Sequence, residues 1–114
     1  MILYDVSGQR LVLPDLEVAT TSRARTRGLL GHAPLEMGQG LLIRPCSWIH
    51  TFGMGFAIDV LYVGRDGRIV ACAENLRPGR LDRPVLRSRW VVEMAAGAVR
   101  FYGLKMGGQL EVRE

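Results

Sequence analysis

One carboxylate interrupts the most apolar stretch of this 114-residue chain: Asp59, within FAIDVLYV. An ionised carboxylate buried without partners either costs several kcal/mol or takes up a proton. Asp59 is therefore either a structural acid held by N–H donors and an arginine, or a site acid with a displaced pKa. The next residues along the chain supply a counterpart. If Asp66-Gly67 makes a two-residue type I′ turn, Arg65 pairs with Arg68, Val63 faces Val70, Leu61 faces Cys72 and Asp59 faces Glu74. Opposed side chains share a face with Cβ atoms about 5 Å apart, so two bare carboxylates there need a shared proton, a cation or an arginine. Gly64 leaves a longer loop open. That loop would move the register by one residue and turn Glu74 to the other face.

His50-Thr51 stands just ahead, beside Phe52. Together with Asp59, His50 makes an acid/base pair suited to proton transfer or hydrolysis. Alone, it is a hydrogen-bonded histidine of the kind common in protein interiors. Arg27 is a counter-ion for such a site. The candidate site is thus His50, Thr51, Asp59, Glu74 and Arg27. His32, Cys46 and Cys72 offer further metal-ligating atoms, but HExxH and paired CxxC spacings are absent, as are GxSxG, a Walker loop and GxGxxG. Neither a metal nor a cofactor is expected.

The composition is that of an ordinary globular protein, 48% hydrophobic and 23% charged. The length suggests one domain over residues 1–114, able to bury about two-thirds of its unfolded surface without staples. No apolar run approaches the roughly 20 residues that span a membrane. The opening MILYDVSGQRLVLP lacks the basic-then-apolar pattern of an export signal. The expectation is a cytoplasmic protein, not bound to membranes, with Cys46 and Cys72 as reduced thiols. The net charge is +4, and all but Lys105 of the 15 basic residues are arginine, which suits phosphate and carboxylate groups. They are scattered from Arg10 to Arg113, and only Arg77, Arg80, Arg83 and Arg87 gather in one polar loop.

The elements that must position these residues are short. ILYDV and RLVL flank Ser7-Gly8 as a hairpin, which residues 16–19 extend beyond Pro14-Asp15. Thr21 or Ser22 caps a short helix that Gly31 ends, with Arg23 and Arg27 one turn apart. GLLIR at 40–44 is a strand closed by Pro45, and residues 48–52 are a further short strand. Residues 56–63 give the strongest strand, turning at 64–67 into a return strand at 68–74. A polar loop comes next at 75–84. In residues 85–94, Trp90, Val92 and Met94 alternate against Val91 and Glu93. Residues 95–103 form a second short helix and 110–113 a last strand. The pattern is α+β and mostly β: a compact barrel-like or strongly curved antiparallel or mixed sheet with two short helices.

Four ordered elements resemble one family. They are Arg27-Gly28-Leu29-Leu30-Gly31, Gly40-Leu41-Leu42-Ile43, the segment Ile49-His50-Thr51-Phe52-Gly53-Met54 with Ile58-Asp59-Val60, and Val92-Glu93-Met94-Ala95-Ala96-Gly97. They are similar to the RGLMGR, GMLF, HTFGM-x-x-P-I-D-V and LELPAG elements of the domain of unknown function 192 family. The resemblance covers nearly the whole chain. It implies a small compact α+β domain and no agreed activity. Ala57 and Ala95 stand where the family has proline, and Gly108 where a Gly-Asp pair is usual. Asp59 and His50 fall on the motif.

Three functions fit. The favoured one is a ligand-binding or accessory domain for a small molecule or protein partner. The alternative is a small acid/base or hydrolase-like enzyme using His50 and Asp59. The third is an arginine-rich module for an acidic partner. Specific nucleic-acid recognition is not expected, because the arginines are interleaved with 11 acids and aromatic residues for base stacking make up only 7%. Any binding to nucleic acid should be electrostatic and fall steeply with salt. An anisotropy titration at two salt concentrations checks this; tight, sequence-selective binding near physiological salt would contradict it.

Overall fold

The computed structural model describes the backbone of residues 1–114 and every side chain except that of Thr26. The order is β1 (Ile2–Asp5), β2 (Arg10–Leu13), β3 (Asp15–Ala19), α1 (Ser22–Arg27), β4 (Gln39–Ile43), β5 (Ile58–Val63), β6 (Ile69–Leu76), β7 (Trp90–Ala95), α2 (Ala98–Phe101) and β8 (Leu110–Arg113). These strands form two sheets, β2-β1-β8 and β3-β4-β7-β5-β6, and no closed barrel is found among the described residues. The fold is mostly β with two short helices. β1 and β2 form the antiparallel hairpin that the pattern around Ser7-Gly8 predicts. β3 does not extend it: beyond Pro14 it runs parallel to β4 in the larger sheet, and α1 lies in the crossover between them.

The central strands explain their own sequence. β5 and β7 are buried at every position, so both faces are apolar. Leu61, Val63, Trp90, Val92 and Met94 pack with Leu3, Leu13 and Leu110 between the sheets. Ile58, Val60, Tyr62 and Val91 face a second core with Leu29, Leu41, Ile43 and Ile49. The alternation expected for β7 is therefore present. α1 starts where Thr21 caps it, the hydroxyl accepting from the Ala24 N–H at 3.1 Å. It ends at Gly28, one turn before Gly31.

The β5–β6 hairpin departs from the two-residue turn. Gly64 N–H donates to the Arg68 carbonyl and Gly67, at φ 84°, donates to the Gly64 carbonyl, so the loop is one residue longer. Val63 consequently pairs with Ile69, not with Val70. An irregularity then restores Leu61 opposite Cys72, and a second one lies between Ile58 and Val60. There Asn75 adopts φ 51°, and the ladder steps from Val60–Ala73 to Ile58–Leu76. The expected facing of Asp59 and Glu74 is thereby lost: Asp59 is fully buried and Glu74 is exposed.

Asp59 meets backbone donors instead. One carboxylate oxygen accepts from the Asn75 N–H at 2.8 Å, the other from the Val99 N–H at 3.0 Å. The second bond caps α2 from outside. Gly97, the residue before the helix, has no side chain to do it. Asp59→Ala and Asp59→Asn are both expected to cost roughly 3 kcal/mol or more, since each strands at least one buried N–H. Urea denaturation measures this; variants within ~0.5 kcal/mol of the parent would contradict it.

Candidate functional site

The second core is not fully covered. α1, the segment after β4 and the segment before β7 leave a cleft of about 650 Å³ over that face of the large sheet. Its wall is apolar, with Leu29, Ile43, Ile49 and Met54 continuous with the core. Around the mouth, Leu30 is 38% exposed, Trp48 49%, Phe52 50% and Leu86 89%. Arg25, Arg27 and Arg89 line it as well. Glu93 is the one acid among the lining residues.

The rim is held rigidly. Residues 46–51 run antiparallel to residues 80–89, joined by Cys46 N–H to the Arg89 carbonyl, Val85 N–H to Ser47 and Thr51 N–H to Arg80. Thr51 is fully buried, and its hydroxyl accepts from the Arg80 N–H and donates to the Arg77 carbonyl. Tyr62 anchors the same segment from β5, its hydroxyl donating to Asp82 at 2.6 Å. On this frame Trp48, His50 and Phe52 line the exposed rim of the cleft, and Ile49 between them belongs to its wall. His50 stacks on Phe52 with centroids 5.1 Å apart, and its Nδ1 accepts from the Phe52 N–H, leaving Nε2 to carry the proton of the neutral ring.

Glu93 is a buried acid on the cleft wall. It lies on the cleft face of β7, is 3% exposed, and its carboxylate makes no hydrogen bond or ion pair with any described residue. Burial alone pushes its pKa up to about 7. Cys46, on the wall nearby, feels both Glu93 and Arg25, and its thiol is pushed up chiefly by burial. It is not an activated thiolate. Arg25 holds long contacts to the Pro45 carbonyl and the Ser22 hydroxyl, both 3.4 Å, while its Nε is buried with no acceptor. A buried acid and a buried guanidinium N–H, both unpaired among the described residues, belong to one cavity.

The structure brings Arg27 and His50 to this cleft. Thr51 clamps the rim from inside, Asp59 bonds to Asn75 and Val99, and Glu74 is exposed on β6; none of the three lines it. Glu93, Arg25 and Cys46 are absent from the sequence-derived set. Glu93 carried the same signal as Asp59, an acid inside an apolar strand, WVVEMA. Neither cysteine is in a disulfide. Among the described residues no cluster of three or more His, Cys, Asp or Glu could hold a metal, and no helix is long and apolar enough to cross a membrane.

No curated protein sequence matches the chain. Two solved structures share its fold. A protein of unknown function from Novosphingobium aromaticivorans DSM 12444 is 23% identical with a TM-score of 0.83, over 97% of this chain and 82% of that one. A candidate transcription regulator from Sinorhizobium meliloti 1021 is 25% identical with a TM-score of 0.80, over 96% and 89%. The model of the uncharacterized conserved family DUF192 matches residues 4–112. With all four sequence elements inside that span, the chain belongs to the domain of unknown function 192 family.

Proposed function

We propose that this is a small-molecule binding domain whose site is the cleft between α1, the 46–54 segment and the start of β7. The observation that carries the reading is Glu93: a buried carboxylate with no partner among the described residues, at a cavity of about 650 Å³. An unpaired buried acid is a standing cost that a bound group would relieve. The volume falls in the range of ordinary ligand pockets, and the lining joins an apolar wall to charged groups, Glu93, Arg25, Arg27 and Arg89. The ligand is amphipathic, with an apolar part against Trp48, Phe52 and Leu86 and a polar part among Glu93, Arg25 and Arg27. His50 and Arg27 serve here as rim residues. Asp59 and Thr51 act in this reading as supports, and the acid/base pairing of His50 with Asp59 has no counterpart in the cleft.

A fragment library screened by amide chemical shifts tests it. Hits are expected to move residues of α1, 46–54 and 86–93 together. Leu86→Glu, at a fully solvated position, is expected to weaken those hits several-fold without changing the melting temperature. Shifts that scatter, or that cluster away from the cleft, would remove the reading.

The cost of Glu93 is measurable without any ligand. Its folded pKa lies above the unfolded value of 4.5. Below that value the acid is neutral in both states and costs nothing. As pH rises toward and past about 7 the folded state must carry a buried charge, so stability falls. Glu93→Gln is expected to be the more stable protein at pH 8, by on the order of 3 kcal/mol, and to converge on the parent near pH 4. Denaturation midpoints across that range check it; parallel curves would contradict it.

A further inference from the structure

Granted the small-molecule reading on which this rests, the polar groups of the cleft specify more than amphipathicity. Glu93 offers acceptor oxygens and no described residue donates to them. Arg25 offers a buried Nε–H that no acceptor meets. Cys46 lies close enough to sense both groups. A ligand that satisfies this end of the cleft must therefore carry a donor, best a cation, and an acceptor, best an anion, on one small frame. A simple cation meets Glu93 but faces Arg25, Arg27 and Arg89 with nothing to offset them. A simple anion meets the arginines and leaves Glu93 either charged and unpaired or protonated. From this complementarity we infer that the cleft binds an amphoteric molecule: an amino acid with a large apolar side chain, its ammonium on Glu93, its carboxylate on Arg25 and its side chain against the aromatic rim.

The rim fits the third part of that molecule. Trp48, His50 and Phe52 present ring surface on alternate positions, and Leu86 projects beside them. An aromatic or branched side chain would cover surface that is now in water. The titratable and charged groups that share the cleft with Glu93 are Arg25 and Arg27 from α1, Cys46 and His50 from the segment after β4 and Arg89 before β7, and Tyr62 on β5 feels its charge from beneath. Tyr62 is occupied with Asp82. An ammonium at Glu93 favours the ionised acid, so a carboxyl that is partly protonated near neutral pH releases its proton as the ligand binds.

Three probes with one ring system separate the possibilities: L-phenylalanine, 3-phenylpropionate and 2-phenylethylamine, titrated calorimetrically and by amide shifts at pH 7. Phenylalanine is expected to bind about tenfold or more tighter than either single-charge analogue. Glu93→Gln should erase its advantage over phenylpropionate while phenylpropionate itself changes little. Arg25→Gln should erase its advantage over phenylethylamine. Titration in two buffers of different ionisation heat should show proton release in the parent and none in Glu93→Gln. Phenylpropionate binding as tightly as phenylalanine would overturn the inference. So would cleft shifts from library fragments with none from phenylalanine, although the cleft would then stand as a binding site. If no compound of any class moves the cleft residues, the binding reading itself falls.

Discussion

The Asp59 carboxylate ties the paired strands β5 and β6 to the start of α2. It stands on β5, accepts from the irregular turn of β6 at Asn75, and accepts from the first turn of α2 after β7. α2 is four residues long and begins at a glycine in a left-handed conformation, so its N–H groups have no local cap. Without Asp59 the Val99 N–H would lose its acceptor at the edge of the core that Ala98 and Val99 share with Leu3 and Leu13. The irregularity of β6 has the same origin. An acid on that face can reach a backbone N–H of its neighbouring strand only if the ladder yields one, and Asn75 supplies it by leaving the pleat. Asparagine tolerates that left-handed conformation better than most residues.

Much of this architecture was legible because it is periodic. The β1–β2 hairpin, the α1 cap at Thr21, the two faces of β7 and the buried β5 all derive from alternation and from cap and turn residues. The sheltering of Asp59 was readable from one charge in an apolar run. What failed were positions where a single residue is inserted. The longer turn at Gly64–Gly67 and the step at Asn75 each displace the β5–β6 register by one, in opposite senses for Val63 and Ile58 relative to Leu61. Period-two reasoning cannot see such a step, and Glu74 went to solvent because of it. The assignment of β3 failed differently: Pro14 marks a break but does not say which sheet comes next.

The cleft was hidden for a topological reason. Its lining comes from residues 25–30, 43–54 and 86–93, which are distant in sequence and are brought together by the β4–β7 pairing and by the ladder between the two long loops. That ladder depends on Thr51, a side chain whose hydroxyl replaces a missing strand pairing, and on Tyr62, which holds Asp82 from the sheet below. Neither function has a sequence pattern. The family elements do mark the region, since the His50 and Glu93 segments both fall within them, and the cleft is where these two segments meet.

Asp59 and Glu93 make the comparison that separates support from site. Both are acids on adjacent central strands, and both are almost wholly withdrawn from water. They point to opposite faces of one sheet. Asp59 enters a core closed by the small sheet and α2, and there the chain provides an N–H for each oxygen. Glu93 enters a face that α1 and the loops leave open, and there no described residue offers it a donor. If burial of charge were merely tolerated in this fold, the cheaper arrangement at position 93 would be an apolar residue continuing Val91 into the wall. The fold instead keeps a carboxylate at the position of β7 that lines the cleft, where an external group can reach it. Satisfaction, more than burial, therefore distinguishes Asp59, which bonds the structure together, from Glu93, on which the proposed binding site rests.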